Sequence, residues 1–256
     1  MIAALIIGRK DSAGFPGKNV FPVLGRPLMA YPLQAAAHSK YVDEIYCSTD
    51  SEEIWGVAKS FGAHRIERPP ELATREALGE DAFAHGYRAI VESGRRPELV
   101  VLLFCNAPTI LAETIEAGIE GLRNDPSLDS AVTVSPYNMW SPIRARRIGP
   151  DGLLHPFVPL EAYQPFMQIT CDRDSQGDVY FADMSVCVVR PRCLEDLSYG
   201  VLPQRWMGQR ILPLKQWGGL DVDYQWQIPM VEYWLRDHGF SEDRTPYDLM
   251  AGRGKD

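Results

Sequence analysis

The residues best suited to chemistry in this chain lie near its two ends. Close to the N-terminus, the stretch GRKDSAGFPGKN, Gly8 to Asn19, sets Arg9, Lys10 and Lys18 among three glycines and a proline. Glycines let backbone N–H groups approach a polyphosphate, and an arginine and a lysine supply the balancing charge. Towards the other end, GGLDVDYQW places Asp221 and Asp223 two positions apart after two glycines. Mg²⁺ prefers one or two carboxylates together with phosphate oxygens and water, and such a pair offers them. Acids at a helix start can equally serve as caps with no metal at all.

Two common phosphate loops do not fit the first stretch. GxxxxGK[ST] fails because Ser12 stands five before Gly17 and Asn19 follows Lys18, and GxGxxG fails because Gly8, Gly14 and Gly17 have the wrong spacing. A nucleotidyltransferase loop explains the cations as well as the glycines. An ordinary connection rich in turn residues is the bland alternative, although a loop this long in a compact domain is usually functional or disordered.

The elements that must position these residues follow an alternating rhythm. AALII (3–7) reads as a buried strand, and LMAYPLQAAAHS (28–39) as a helix with Pro32 in its first turns. DEIYCSTD (43–50) reads as a strand, and SEEIWGVAKSFG (51–62) as a helix capped by Ser51 or Asp50 and stopped at Gly62. HRIE, a helix over 80–93, the strongly apolar strand ELVVLLF (98–104), a helix over 112–123 and SAVTVS (130–135) complete five strands alternating with four helices. The pattern predicts an α/β fold: a doubly wound, mainly parallel sheet with right-handed crossovers and a ligand site beyond the carboxyl ends of its strands.

From Tyr137 the rhythm breaks into prolines, aromatics and mixed charge, predicting a small inserted β-rich excursion over about 137–178 that turns at Pro150-Asp151-Gly152. The rhythm returns with DVYFADMSVCVVRP and QRILPL, then a helix over DVDYQWQIPMVEYWLRDHG broken or bent near Pro229. Residues 1–240 read as one domain and 241–256 as a polar, mobile tail.

Composition narrows the function classes. The 256 residues carry a formal charge of −8 from 34 acidic and 26 basic side chains, with no long basic run, which disfavours a nucleic-acid surface. The five cysteines show no CxxC spacing and sit mostly in apolar contexts, and no apolar segment is long enough for a membrane span. These features predict a soluble cytoplasmic protein. The histidines His38, His64, His85, His155 and His238 have no metal-binding spacing and read as surface or capping residues.

With these residues in view, IIGRKDSAGFPGKNVFPVLGRPLMAY resembles the N-terminal signature of the acylneuraminate cytidylyltransferase family, the CMP-sialic acid synthetases and their relatives, whose loop reads R-x-x-S-K-G-x-P-x-K-N. Arg9, Ser12, Gly14, Pro16, Lys18 and Asn19 match, while Ala13 stands where the family usually has a lysine. YVDEIYCSTDSEEIWGVAKSFGA and RPPELATREA resemble the next family segments, with Arg68 at the nucleotide-binding arginine.

The resemblance implies a Rossmann-like nucleotide-diphospho-sugar transferase fold and transfer of CMP from CTP to an acidic small-molecule acceptor, releasing diphosphate. It implies Gly8, Arg9, Ser12, Gly14, Lys18, Asn19, Arg68 and Asn106 as nucleotide-binding residues, Asp221 and Asp223 as ligands of Mg²⁺, and Arg9, Lys18 and Asp223 as the catalytic set. It also implies a homodimer whose arm is the excursion.

The acceptor side departs from the family. LLFCNAPTIL replaces Q-P-T-S-P-L-R, so Phe104 takes the glutamine position and no arginine follows; Asp183, Met184 and Ser185 replace part of P-N-G-A-I-Y. A different sugar acid, a sugar phosphate or a phosphonate is then as good an acceptor as an ordinary sialic acid. Arg144, Arg146 and Arg147 could reach an anionic acceptor or form a solvated hairpin, and the aromatics of YNMW and YQPFMQ read as packing. A DxD glycosyltransferase and a non-catalytic nucleotide-binding module are the competing functions. The retained cations and aspartates, and the position of DVD late in the chain, favour nucleotidyl transfer.

Overall fold

Six apolar residues, Ile2 to Ile7, bury every side chain, and that continuous burial is what a central strand covered on both faces requires. The computed structural model describes residues 1–12, 14–163 and 169–248. Ala13, the stretch 164–168 within the aromatic segment, and the last part of the expected tail, 249–256, lie outside the described residues.

In chain order the strands are β1 (Ile2–Ile7), β2 (Pro22–Val23), β3 (Arg26–Pro27), β4 (Glu44–Thr49), β5 (His64–Glu67), β6 (Leu99–Phe104), β7 (Ser130–Pro136), β8 (Arg146–Ile148), β9 (Leu154–Pro156), β10 (Tyr180–Val189) and β11 (Ile211–Lys215). The helices are α1 (Ala30–His38), α2 (Glu52–Ser60), α3 (Gly79–Glu92), α4 (Ala112–Asn124), the single turn α5 (Arg192–Glu195) and α6 (Ile228–Asp237). Helix α2 starts where its cap residue stands: the Ser51 hydroxyl accepts from the Ile54 N–H at 3.4 Å, with Glu52 and Glu53 in the first turn.

Seven strands form one sheet in the order β11-β7-β10-β6-β1-β4-β5. All neighbours pair in parallel except β10, which is antiparallel to both β6 and β7. The reversal follows from the excursion, whose β8–β9 hairpin is carried between the end of β7 and the start of β10. The chain leaves β7 at the carboxyl end of the sheet and re-enters β10 there, so it has to run back down. Period alone could not show this.

Alternate residues of β1 enter different cores. Ile2, Ala4 and Ile6 meet α1, α2 and α4 on one face, while Ala3, Leu5 and Ile7 meet α3 and Trp206 on the other. A third core, under α6, gathers Phe15, Leu28, Tyr31, Val222, Val231 and Trp234. Burying Phe15 and Val222 there, worth about 2 kcal/mol each, pins the first loop and the aspartate segment to one support.

Two sequence expectations need correction. Pro229 neither breaks nor bends the last helix; it lies in the first turn of α6, where a missing N–H costs nothing. Residues 241–248 are not an unanchored tail: Tyr247 is buried and its hydroxyl accepts from the Ala112 N–H at 3.1 Å. Among the described residues no helix is long and apolar enough to cross a membrane.

Candidate active site

The sheet reverses its strand order between β1 and β6, and the segments leaving those two strands build the site. Gly8 follows β1. A Cβ there would sit 2.5 Å from Cys105 Sγ, so only glycine lets the two strand ends come this close. The loop is then tied down along its length. Lys10 N–H donates to Asp50 Oδ1 at 2.9 Å, the Asn19 amide donates to the Arg9 carbonyl at 3.2 Å, and Phe15 enters the third core. Gly17, at φ 72°, opens the short 3₁₀ turn that presents Lys18.

The aspartates lie on an extended strap ahead of α6 and cap nothing. Gln227 does the capping instead: its Oε1 accepts from the Asp223 and Tyr224 N–H groups, both at 2.7 Å. The strap is fastened to β6, since Val222 N–H donates to the Asn106 carbonyl at 2.8 Å and the Asn106 amide donates to the Val222 carbonyl at 3.0 Å. It is fastened to the first loop by Lys18, whose Nζ donates to the Val222 carbonyl and to Asp223 Oδ1, each at 2.7 Å.

Between loop and strap lies a cleft of about 360 Å³. Gly8, Arg9, Ser12, Gly14, Lys18, Asn19, Arg68, Asn106 and Asp223 all line it. Arg68 is buried, donating to the Ser48 carbonyl at 2.7 Å and to Ser48 Oγ at 3.3 Å, and burial pushes its pKa down. The Arg9 guanidinium donates to the Thr74 carbonyl. Among the described residues neither arginine forms an ion pair, so both positive charges are left for a ligand.

Asp221 is set apart from the other candidates. It lines a neighbouring cleft of about 350 Å³ with Tyr137, Trp140, Phe181, Asp183 and Trp226. Burial first, and then the charge of Asp223, push its carboxyl above the usual range. A carboxyl raised in part by a neighbouring aspartate is in a place suited to a cation. Among the described residues no group of three or more His, Cys, Asp or Glu is placed to hold a metal ion.

Leu72, Leu78, Gly79 and Tyr224 also line the first cleft and were not legible as site residues. The stretch after Arg68 resembled a family segment in sequence, but which of its side chains reach the cleft depends on how β5 joins α3. Phe104 faces the same cleft and packs edge-on against Phe83 at 5.0 Å, giving it an apolar wall. Arg144, Arg146 and Arg147 line neither cleft; Arg144 and Arg146 donate to backbone carbonyls of the excursion.

Known proteins resemble this chain in sequence and in fold. A family model described as cytidylyltransferase matches residues 3–144, which take in the first loop, Arg68 and Asn106. N-acylneuraminate cytidylyltransferase of Escherichia coli O18:K1:H7 is 37% identical over 84 residues, covering 33% of this chain and 20% of that protein. The chain therefore matches about a fifth of the length of that relative. The 3-deoxy-manno-octulosonate cytidylyltransferase of Solibacter usitatus is 27% identical over 244 residues, covering 91% of this chain and 87% of the relative. Among solved structures, CMP:2-keto-3-deoxy-manno-octonic acid synthetase complexed with CTP superposes with a TM-score of 0.64 at 17% identity, covering 92% of this chain and 98% of that one. That likeness establishes the nucleotide-diphospho-sugar transferase fold.

Proposed function

Because the chain belongs to the cytidylyltransferase family, we propose that it transfers CMP from CTP to an oxygen of a sugar acid and releases diphosphate. The observation that carries this reading is the Lys18–Asp223 contact, which closes the cationic loop against the carboxylate strap over a cleft holding two further unpaired cations. The triphosphate lies along the Gly8–Asn19 loop, with backbone N–H groups and Ser12 positioning it. Arg68, Asn106 and Asn19 hold the nucleoside end.

An acceptor oxygen attacks the α-phosphorus as the bond to the β-phosphate oxygen breaks, and that oxygen leaves with the electron pair. Catalysis is then positioning and charge stabilisation, supplied by Arg9 and Lys18 where negative charge grows on diphosphate. Asp221 and Asp223 would hold Mg²⁺, which supplies further neutralisation of phosphate charge. No side chain is assigned as a base.

The second cleft meets the strap at Asp221 and takes the body of the acceptor. Its described lining has no lysine or arginine, so an acidic acceptor directs its carboxylate towards Lys18 rather than into this cleft. A homodimer is supported by the apolar side chains that the excursion exposes. Cytoplasmic residence is supported by five free cysteines, of which Cys47 is buried with its thiol pushed up to about 12.

The test is diphosphate release with each nucleoside triphosphate, Mg²⁺ and a panel of sugar acids, sugar phosphates and phosphonates. Release with CTP and a sugar acid is expected. No release with any pair, together with unchanged thermal stability on adding CTP, overturns the proposal.

A further inference from the structure

The departure at Asp183, Met184 and Ser185 has a structural counterpart. Strand β10 shifts register against β7 between Ala182 and Cys187, and Met184 adopts φ 62°, an uncommon angle for a non-glycine residue. At this irregularity lies Asp183, only 5% exposed. Its Oδ2 accepts from Ser135 Oγ at 2.7 Å and from the Gln216 amide at 2.9 Å, and its Oδ1 accepts from the Ser185 N–H at 3.2 Å.

This buried carboxylate reaches the strap through Gly219. Ser135 Oγ gives its hydrogen to Asp183 and accepts from the Gly219 N–H at 3.0 Å, while the Tyr137 hydroxyl donates to the Gly219 carbonyl at 2.8 Å. Both backbone groups of Gly219 are thereby fixed. A Cβ at this glycine would fall 2.3 Å from Asp183 Oδ2, so the backbone rests directly on the carboxylate. One residue on, the Leu220 N–H donates to Thr109 Oγ1 at 3.0 Å, and Asn106 takes over at Val222. The strap thus enters Asp221 from a backbone set by charge-assisted hydrogen bonds in a buried environment, where such bonds are strongest.

We propose that Asp183, acting through Ser135 and with Tyr137, is a positioning residue that sets where Asp221 and Asp223 stand and so tunes the affinity for a divalent cation in the presence of CTP. The inference rests on the reading of Asp221 and Asp223 as the metal pair. Outer partners of metal ligands typically control affinity by about 10–100-fold. Asp183→Asn turns one acceptor oxygen into a donor: in place of Oδ2 it takes the acceptor from both Ser135 and Gln216, and in place of Oδ1 it faces the Ser185 N–H.

The experiment is a Mn²⁺ titration followed by electron paramagnetic resonance, with CTP present and no acceptor, so that contacts between Asp183 and an acceptor cannot contribute. Wild type, Asp183→Asn, Tyr137→Phe and Asp223→Asn are compared, with melting temperatures recorded. Asp183→Asn is expected to weaken Mn²⁺ binding by about 10-fold or more. Tyr137→Phe should weaken it less. If Asp183→Asn does not fold, Tyr137→Phe carries the test. Unchanged Mn²⁺ affinity in the folded Asp183 and Tyr137 variants, with a loss in Asp223→Asn, overturns the inference and leaves the metal pair standing. Unchanged affinity in Asp223→Asn overturns the metal pair and the inference with it.

Discussion

Lys18 Nζ stands 2.7 Å from Asp223 Oδ1 across 205 positions of sequence. The lysine side chain is 11% exposed and the aspartate 59%, so the pair contributes little to stability once solvent screening is counted. Its value is geometric: it holds a cation and a carboxylate at one edge of the cleft that the triphosphate is proposed to fill.

Lys18→Ala and Asp223→Ala should each lower the rate of diphosphate release by about 10²–10³-fold, the scale seen when one charge-stabilising donor is removed from an active site. Thermal denaturation should show both variants folded, with Lys18→Ala slightly the less stable because the Val222 carbonyl loses one of its two side-chain donors and keeps only Asn106. Normal rates in both would refute the assignment.

Gly14→Ala tests the approach of loop to strap. A Cβ at Gly14 would lie 2.7 Å from the Asp223 carbonyl oxygen, a backbone atom that cannot swing aside. The expected cost is about 1–3 kcal/mol of overpacking in chemical denaturation, accompanied by a fall in turnover. Gly17→Ala is the contrast. Its Cβ would meet open space, and only the left-handed φ of 72° is strained, by about 1–2 kcal/mol.

Asp221→Asn should stabilise the metal-free protein at neutral pH. The folded carboxyl is raised by burial and by Asp223, so the wild-type protein is favoured while this group stays protonated and loses stability as pH rises from the unfolded value, about 4, through the higher folded value. The advantage of asparagine should therefore appear above about pH 4 and vanish below it. Melting temperatures across pH 3–8, a window of about that width around the carboxyl range, would show it. Added Mg²⁺ and CTP should raise the wild-type melting temperature more than that of the variant, and equal shifts would count against a metal at this pair.

The excursion should form the dimer contact. Ile148 is 75%, Leu154 71% and Phe157 61% exposed, an apolar surface of the kind that marks an association site. Sedimentation velocity is expected to find a dimer for the wild type and a monomer for the double variant Leu154→Asp/Phe157→Asp. A wild-type monomer at micromolar concentration would refute it.

The candidate site was legible in sequence wherever residue type alone carried the meaning. Glycines beside an arginine and a lysine suggested a phosphate loop, two aspartates after two glycines suited either a metal or a helix cap, and Arg68 was marked by resemblance to a family loop; the structure brings them to one end of one sheet. The apolar period likewise located the main-sheet strands and the helices from Ile2 to Pro136 to within about two residues, because burial on both faces of a parallel sheet leaves a continuous signature, while the two-residue strands β2 and β3 carry no such period. Neither kind of signal contains distance between remote segments.

Tertiary structure alone decided the rest. It separated Asp221 from Asp223 into two clefts, started α6 at Ile228 with Pro229 in its first turn, ran β10 antiparallel and placed Asp183 beneath Gly219. Each of these depends on which strand the chain returns beside after the excursion, a choice made by packing between residues far apart in sequence. Local propensity and charge pattern determined what this protein can hold. The closure of distant segments determined where it holds it.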